Sequence, residues 1–419
     1  AHNDGDGEFG PDGDADIIKC GSYSGNGSST GPEIDLGFEP QWLLIKNATS
    51  ANNWLLFDNM RGIVTGGNDA LLRPNLSDAE LTSVDLIEAT STGFSIPTND
   101  AGINGSGNNY IYIAIRRGPM AVPTDATDVF AIDGEQTTTS GSGPAFITNF
   151  VTDMLIEKQP SATSSWPIGA RLQGNKYLVT DAASAETTGS SITWDYMNGT
   201  SEPFNISPPY QAWMWKRAPN FFDVVTYTGN GTAGRTVSHN LGVAPEMMWI
   251  KNRDGARNWA VYHKELGGTK LLYLNGTNAS ITESNIFNNT DPTESVFTLG
   301  SNRDVNSSIS EDHIAYLFAS VDGVSKVGSF THTFLTDTAV DCGFSSGARF
   351  VLIKRTDSSG DWRLYDSVRG ITAGADPELK LNTTDAEYTS GDYLVPNSSG
   401  FTVEGDNYNS GTYIFYAIA

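Results

Sequence analysis

The feature that most constrains this chain is a repeated register. An apolar run ending in Lys is followed eight residues later by Trp in QWLLIKNATSANNW (Lys46, Trp54), DMLIEKQPSATSSW (Lys158, Trp166), MMWIKNRDGARNW (Lys251, Trp259) and FVLIKRTDSSGDW (Lys354, Trp362). Next, Leu72, Leu178, Leu272 and Leu379 each precede an alanine by seven, at Ala79, Ala185, Ala279 and Ala386. Each copy then closes on an aromatic-rich run: YIYIAIRR, YQAWMWKR, HIAYLFAS or YIFYAIA. Three landmarks in one order set out tandem copies of a single unit, and a repeat of this kind dictates the architecture before any other signal does. The copies run over 17–118, 127–218, 221–320 and 325–419, behind an acidic leader at 1–16.

Within a copy the apolar residues alternate or run continuously over short stretches rich in Val, Ile, Tyr, Phe and Thr, which suits strands buried on one or both faces. Clusters of Gly, Asn, Asp and Ser interrupt them, as at Gly25-Asn26-Gly27 and Gly229-Asn230-Gly231, where tight hairpins need positive φ. No stretch carries a sustained helical stripe. The reading is an all-β chain of four tandem β-sandwich, jelly-roll-like repeats of about 95 residues, each with seven or eight strands. A four-bladed propeller is the rival, but a blade holds only four strands. The second copy is the most degenerate and shows no clear match to the GFSI and GFTV strands of the first and fourth. The joints between copies are short, and Pro119, Pro123 and Pro219 stiffen the first two. A semi-rigid rod, or modules packed directly on one another, is expected.

Composition narrows the function classes. Asp and Glu number 49 against 25 Lys and Arg, a formal charge of −24, which argues against nucleic-acid binding because phosphates demand a basic face. The absence of any apolar run of about 18 residues argues against membrane insertion. The acidity is read as solubility. Two cysteines, Cys20 and Cys342, sit in different copies and are expected as thiols of a chain made in a reducing cytosol. The opening AHNDGDGEFGPDGDAD has neither Met nor a hydrophobic segment and is read as the start of a fragment or processed product.

No catalytic, cofactor or metal site is assigned. Trp54, Trp166, Trp259 and Trp362 offer a sugar-stacking platform or the core anchor of each module; presence in every copy at fixed spacing favours the anchor. The carboxylates Asp78/Glu80 and Asp385/Glu387 are read as turn caps rather than a glycosidase pair, which must face one cleft. Asp58 with Arg61, and Asp366 with Arg369, are expected as structural ion pairs, with His263 at the Asp position of the third copy. Asp4, Asp6, Asp12 and Asp14 suggest a calcium loop, but their spacing departs from the EF-hand and a solvated tail is preferred. Trp194, Trp213 and Trp215, peculiar to the second copy, are the candidate ligand or interface cluster.

The segments GFEPQWLLIKNATSANNW, YIYIAIRRGPMAVPTDATDVFAID, KRAPNFFDVVTYTGNGTAGRTVSHNLGVAPEMMWIKNRDGARNW and SKVGSFTHTFLTDTAVDCGFSSGARFVLIKRTDSSGDW, and the closing SGTYIFYAIA, resemble a repeat family of aquatic tailed phages. Its members are labelled tail-fibre-like or virion structural proteins. The resemblance covers nearly the whole chain from Ile17. It implies a bacteriophage structural protein on the virion exterior or tail, synthesised in the host cytoplasm, contacting other virion proteins and itself as a homo-oligomer, by analogy a trimer. A tail fibre mediating host attachment through a surface glycan or protein is the leading expectation. A capsid decoration or head fibre is the alternative, and a non-viral extracellular adhesin or filament subunit a weaker one.

Overall fold

The computed structural model describes residues 16–134, 143–189, 192–201 and 210–419. Strands dominate; among the described residues the only α-helices are single turns at Ala101–Asn104 and Ser284–Phe287.

One strand order recurs along the chain. The first module's main sheet runs Ile18–Ser24, Asn109–Arg116, Pro40–Asn47, Trp54–Asp58, so that the opening strand pairs with the closing strand and the Lys-bearing strand lies between the closing and Trp-bearing strands. The same order appears as Phe130–Gly134, Gln211–Trp215, Met154–Lys158, Pro167–Ala170, then as Phe222–Thr228, Asp312–Phe318, Met247–Asn252, Ala260–His263, and finally as Ser325–His332, Gly411–Ile418, Phe350–Arg355, Trp362–Asp366. All neighbours are antiparallel. Each module adds a smaller second sheet, such as Thr338–Asp341, Gly400–Val403 and Leu394–Asn397 in the fourth. A main and a smaller sheet in every module, with a further two-stranded sheet of Asp69–Leu71 and Leu81–Val84 in the first, make sandwiches rather than propeller blades.

The second module's small sheet is reduced to Phe146–Ile147 and Gly199–Thr200, which supplies the counterpart of the Gly-Phe strand. Gly199 sits where Gly93 and Gly400 sit. A Cβ would lie 2.1 Å from the Phe146 carbonyl oxygen at Gly199, 1.9 Å from that of Ile34 at Gly93, and 2.2 Å from that of Val340 at Gly400. The glycine survives in the degenerate copy because two backbones meet there; the following Phe does not.

Successive side chains of a strand face opposite ways, and the main sheets of the last three modules bury both sets. One face packs on the module's own small sheet, giving separate cores around Phe146 and Met214, Phe297 and Leu317, and Phe401 and Phe415. The other face joins a shared cluster that includes Trp215, Trp249, Phe318, Phe350 and Tyr416. Trp215 meets Phe350 edge-on at 5.5 Å, and Phe318 lies 5.0 Å from Tyr416. This accounts for strands such as Met247–Asn252, buried at every residue, which read as continuous apolar runs. Of the two expected arrangements, the modules are packed directly on one another.

Candidate functional site

The contacts among the last three modules repeat in a cycle. Each Lys-to-Trp loop receives the Leu-to-Ala segment of a neighbour. The amide of Glu186 donates to the Arg253 carbonyl at 2.7 Å, that of Ser280 to Thr356 at 2.8 Å, and that of Glu387 to Pro160 at 2.7 Å. The donors lie eight residues past Leu178, Leu272 and Leu379, and the acceptors two past Lys251, Lys354 and Lys158, so second contacts third, third contacts fourth, and fourth contacts second. The Trp indoles close the same circuit in the other sense. Trp166 Nε1 donates to the Thr383 carbonyl at 3.0 Å, Trp259 Nε1 to Val179 at 2.9 Å, and Trp362 Nε1 to Tyr273 at 2.9 Å. These three rings are fully buried. They anchor the joints between modules and not, as expected from spacing, the inside of each sandwich. Trp54 is only half-buried, because the first module stands outside the cycle.

The repeated lysines serve the same loops. Lys158 Nζ donates to the carbonyls of Ser164 and, at 3.1 Å, Thr384; Lys354 Nζ donates to Gly360 and, at 3.0 Å, Thr277. Lys251 Nζ reaches Asn252 at 2.6 Å and Gly255 at 3.2 Å. Burial lowers all three ammonium groups to about 8. In all four modules the Trp backbone N–H is capped by one side chain from the Leu segment: Asn75 at 2.9 Å, Asp181 at 2.8 Å, Asn275 at 3.0 Å and Asn382 at 2.7 Å.

Buried charge helps tie the first module to the second and third. Arg217 forks onto Glu39 at 2.8 and 2.5 Å and reaches Asp223 at 2.8 Å through Nε, while its backbone N–H donates to Asp153 at 2.7 Å. These groups come from three modules and are all buried. Burial opposes the Arg217 charge, but the carboxylates of Glu39 and Asp223 outweigh it and hold the guanidinium protonated above its usual range. Arg253 adds a second tie, pairing with Glu186 at 2.7 Å and donating to the Thr65 carbonyl at 2.9 Å.

Trp194, Trp213 and Trp215 do not come together as one cluster: Trp194 borders a cleft against the first module, while Trp213 and Trp215 lie at the contact with the fourth. All three are buried. Trp194 faces the second module's own core and donates its indole N–H to the Gly174 carbonyl at 2.7 Å. Trp213 and Trp215 face the shared cluster, where Trp213 Nε1 donates to Asp366 of the fourth module at 3.2 Å. Period two separates their faces: strand Gln211–Trp215 carries Trp213 and Trp215 together, whereas Trp194 arrives from outside it. The pairs Asp58–Arg61 and Asp366–Arg369 form at 2.6 and 2.7 Å, and Glu80 and Glu387 extend them at 2.8 and 3.0 Å. Cys20 and Cys342 form no disulfide. Asp4, Asp6, Asp12 and Asp14 lie outside the described residues; among those described, no group of three or more His, Cys, Asp or Glu is placed to hold a metal, and no helix is long and apolar enough to cross a membrane.

Among the surface features, two stand out beside a second cleft of about 780 Å³ where Trp42 and Met60 face Val151 and Met197 of the second module. A cleft of about 620 Å³ between the first and second modules is lined by Arg61, Glu80, Arg171, Lys176 and Asp195. Burial, helped by the Glu80 charge, raises the Asp195 carboxyl. The second feature is the outward face of the first module's main sheet. Leu44 lies opposite both Leu56 and Ile113, and Lys46 opposite Trp54 and Ile111. Ile111 and Ile113 are 45% and 39% exposed, and Trp42, Leu44, Trp54 and Leu56 are only half-buried. The counterparts of Leu44 are Ile156, Trp249 and Leu352, and those of Ile113 are Trp213, Tyr316 and Tyr416; every one is buried in the shared cluster. Sequence reasoning missed this face, since Trp54 and Leu44 carry the same signature as their buried counterparts.

A family model described as a domain of unknown function, DUF7483, matches residues 17–119 and 123–419. The chain belongs to that family. The first matched stretch corresponds to the first module, and the second spans the three modules that close on one another. No curated protein matches the chain.

Proposed function

We propose that this DUF7483 chain is a structural building block of a phage virion, displayed on the exterior or tail. The observation that carries the reading is the cyclic set of backbone contacts at Glu186, Ser280 and Glu387, together with a first module whose equivalent segments, Ala48 to Ala51 and Pro74 to Glu80, are exposed. Such an arrangement is suited to assembly: its buried polar and aromatic investment fixes modules against one another. The resemblance of GFEPQWLLIKNATSANNW and its sister segments to virion structural proteins supports the placement.

Within that role, tail-fibre attachment to a host-surface glycan or protein is the leading reading, with the second-module wall of the cleft, around Lys176, Trp194 and Asp195, as the contact region. Ligand sites are concave and set a few polar groups beside apolar and aromatic ones, and this wall has both kinds. Capsid decoration is the second reading. Labelling of imaged virions with antibody to the chain separates the two, and a glycan array with wild type and Lys176→Ala tests the contact. Tail-tip labelling with binding that Lys176→Ala abolishes supports the fibre. Labelling of the capsid shell without glycan binding supports decoration, and absence from purified virions overturns the virion role.

A further inference from the structure

We propose that the outward face of the first module takes two further copies of itself, so that three chains join through their first modules in a cycle like the one the second, third and fourth modules make within one chain. The inference rests on the geometry of the modules and is independent of where the protein resides.

Three observations carry it. The face is a largely apolar sheet surface across three strands, from Ile111 and Ile113 through Leu44 to Trp54 and Leu56, with Lys46 set between Ile111 and Trp54 as Lys251 and Lys354 are set in the sister sheets. A contiguous exposed apolar patch on a folded domain marks an interaction site. In each sister module the same register positions are covered, and what covers them is other modules of the same kind, in a closed set of three. The complementary parts are also in place. The loop after Lys46 is exposed at Ala48 to Ala51, and the segment from Pro74 through Glu80 is exposed throughout. The Trp54 amide is already capped by Asn75 and Arg61 already holds Glu80, matching Trp362 with Asn382 and Arg369 with Glu387. The docking surfaces are thus preformed, and association needs little reordering. An identical patch contacting a different patch on the next copy is a heterologous contact, which closes into a ring when the rotation permits. The rotation that closes three such modules is the one this chain already contains.

Sedimentation velocity of the full chain at micromolar concentration tests the proposal. The wild type is expected as a trimer, about three times the 44.9 kDa chain. Ile111→Glu/Ile113→Glu is expected as a folded monomer, since both side chains are solvent-exposed in the single chain and the change costs it little. Ile147→Glu, at an exposed position of the second module, stays trimeric. A second measurement fixes the geometry. By analogy with the pairs 160/387, 253/186 and 356/280, residue 48 of one copy adjoins residue 80 of the next. Ala48→Cys/Glu80→Cys in a Cys20→Ser background therefore yields a covalent trimer on non-reducing gels. A wild-type monomer or dimer overturns the proposal, as does a trimer that survives Ile111→Glu/Ile113→Glu or gives no 48–80 cross-link.

Discussion

Trp54, Trp166, Trp259 and Trp362 share one sequence context and differ in what surrounds them. Truncating a fully buried aromatic removes transfer energy and leaves a cavity, a loss of about 3–5 kcal/mol. Trp166→Ala, Trp259→Ala and Trp362→Ala each carry that cost and in addition leave a neighbour's carbonyl without its donor. Trp54→Ala costs less, about 1–2 kcal/mol, when measured in the monomeric Ile111→Glu/Ile113→Glu chain. Denaturation midpoints of the four variants in that background check the contrast. Arg217 offers a second test at this scale. Its guanidinium is enclosed with Glu39 and Asp223, so Arg217→Met leaves two buried carboxylates with only Arg117, 3.4 and 3.6 Å away, as their cation. Breaking a buried pair from one side costs about 3–5 kcal/mol, and the unfolding free energy of the variant is expected to fall by that amount.

Among the elements, the Trp-bearing strands end alike in three modules but not with the same chemistry. Asp58 and Asp366 occupy one position and pair with Arg61 and Arg369; His263 replaces them in the third module. Burial, with a smaller push from Lys264, lowers the His263 imidazole to about 3, and burial lowers His313 to about 4. An unfolded histidine titrates near 6.5. Between those values the unfolded chain binds protons that the folded chain refuses, so these residues make stability fall as pH drops below about 6.5. Replacing His263 by Asn removes its share. The stability difference between variant and wild type should shift in the variant's favour by about 1–3 kcal/mol between about pH 7 and about pH 4.5, as read from denaturant titrations at each pH. The strands themselves were legible in the sequence, because period two and the Gly/Asn/Asp punctuation report local geometry. The counterpart of the Gly-Phe strand at Gly199–Thr200 was not, because only its glycine is dictated by a backbone approach. Nor was the fate of Trp194, Trp213 and Trp215. A Trp-rich strand reads the same whether its outer face meets a ligand or another module.

For the whole molecule, the repeat was readable and its closure was not. Fixed spacing from Lys to Trp reports a conserved loop within a module, and nothing in that spacing says that the loop docks on the Leu segment of a neighbour. The asymmetry between the first module and the others was equally hidden, since Leu44 and Trp54 are as apolar as the buried residues they match. The cyclic contacts are the central claim, and amide hydrogen exchange reads them one bond at a time. In the Ile111→Glu/Ile113→Glu chain, the amides of Glu186, Ser280 and Glu387 are hydrogen-bonded across module joints, while Glu80, their equivalent in the first module, is exposed. Amides engaged in such packed joints exchange only through opening of the structure. Slow exchange is expected at Glu186, Ser280 and Glu387 and fast exchange at Glu80; fast exchange at all four positions, or equal protection of all four, would contradict the cyclic joints.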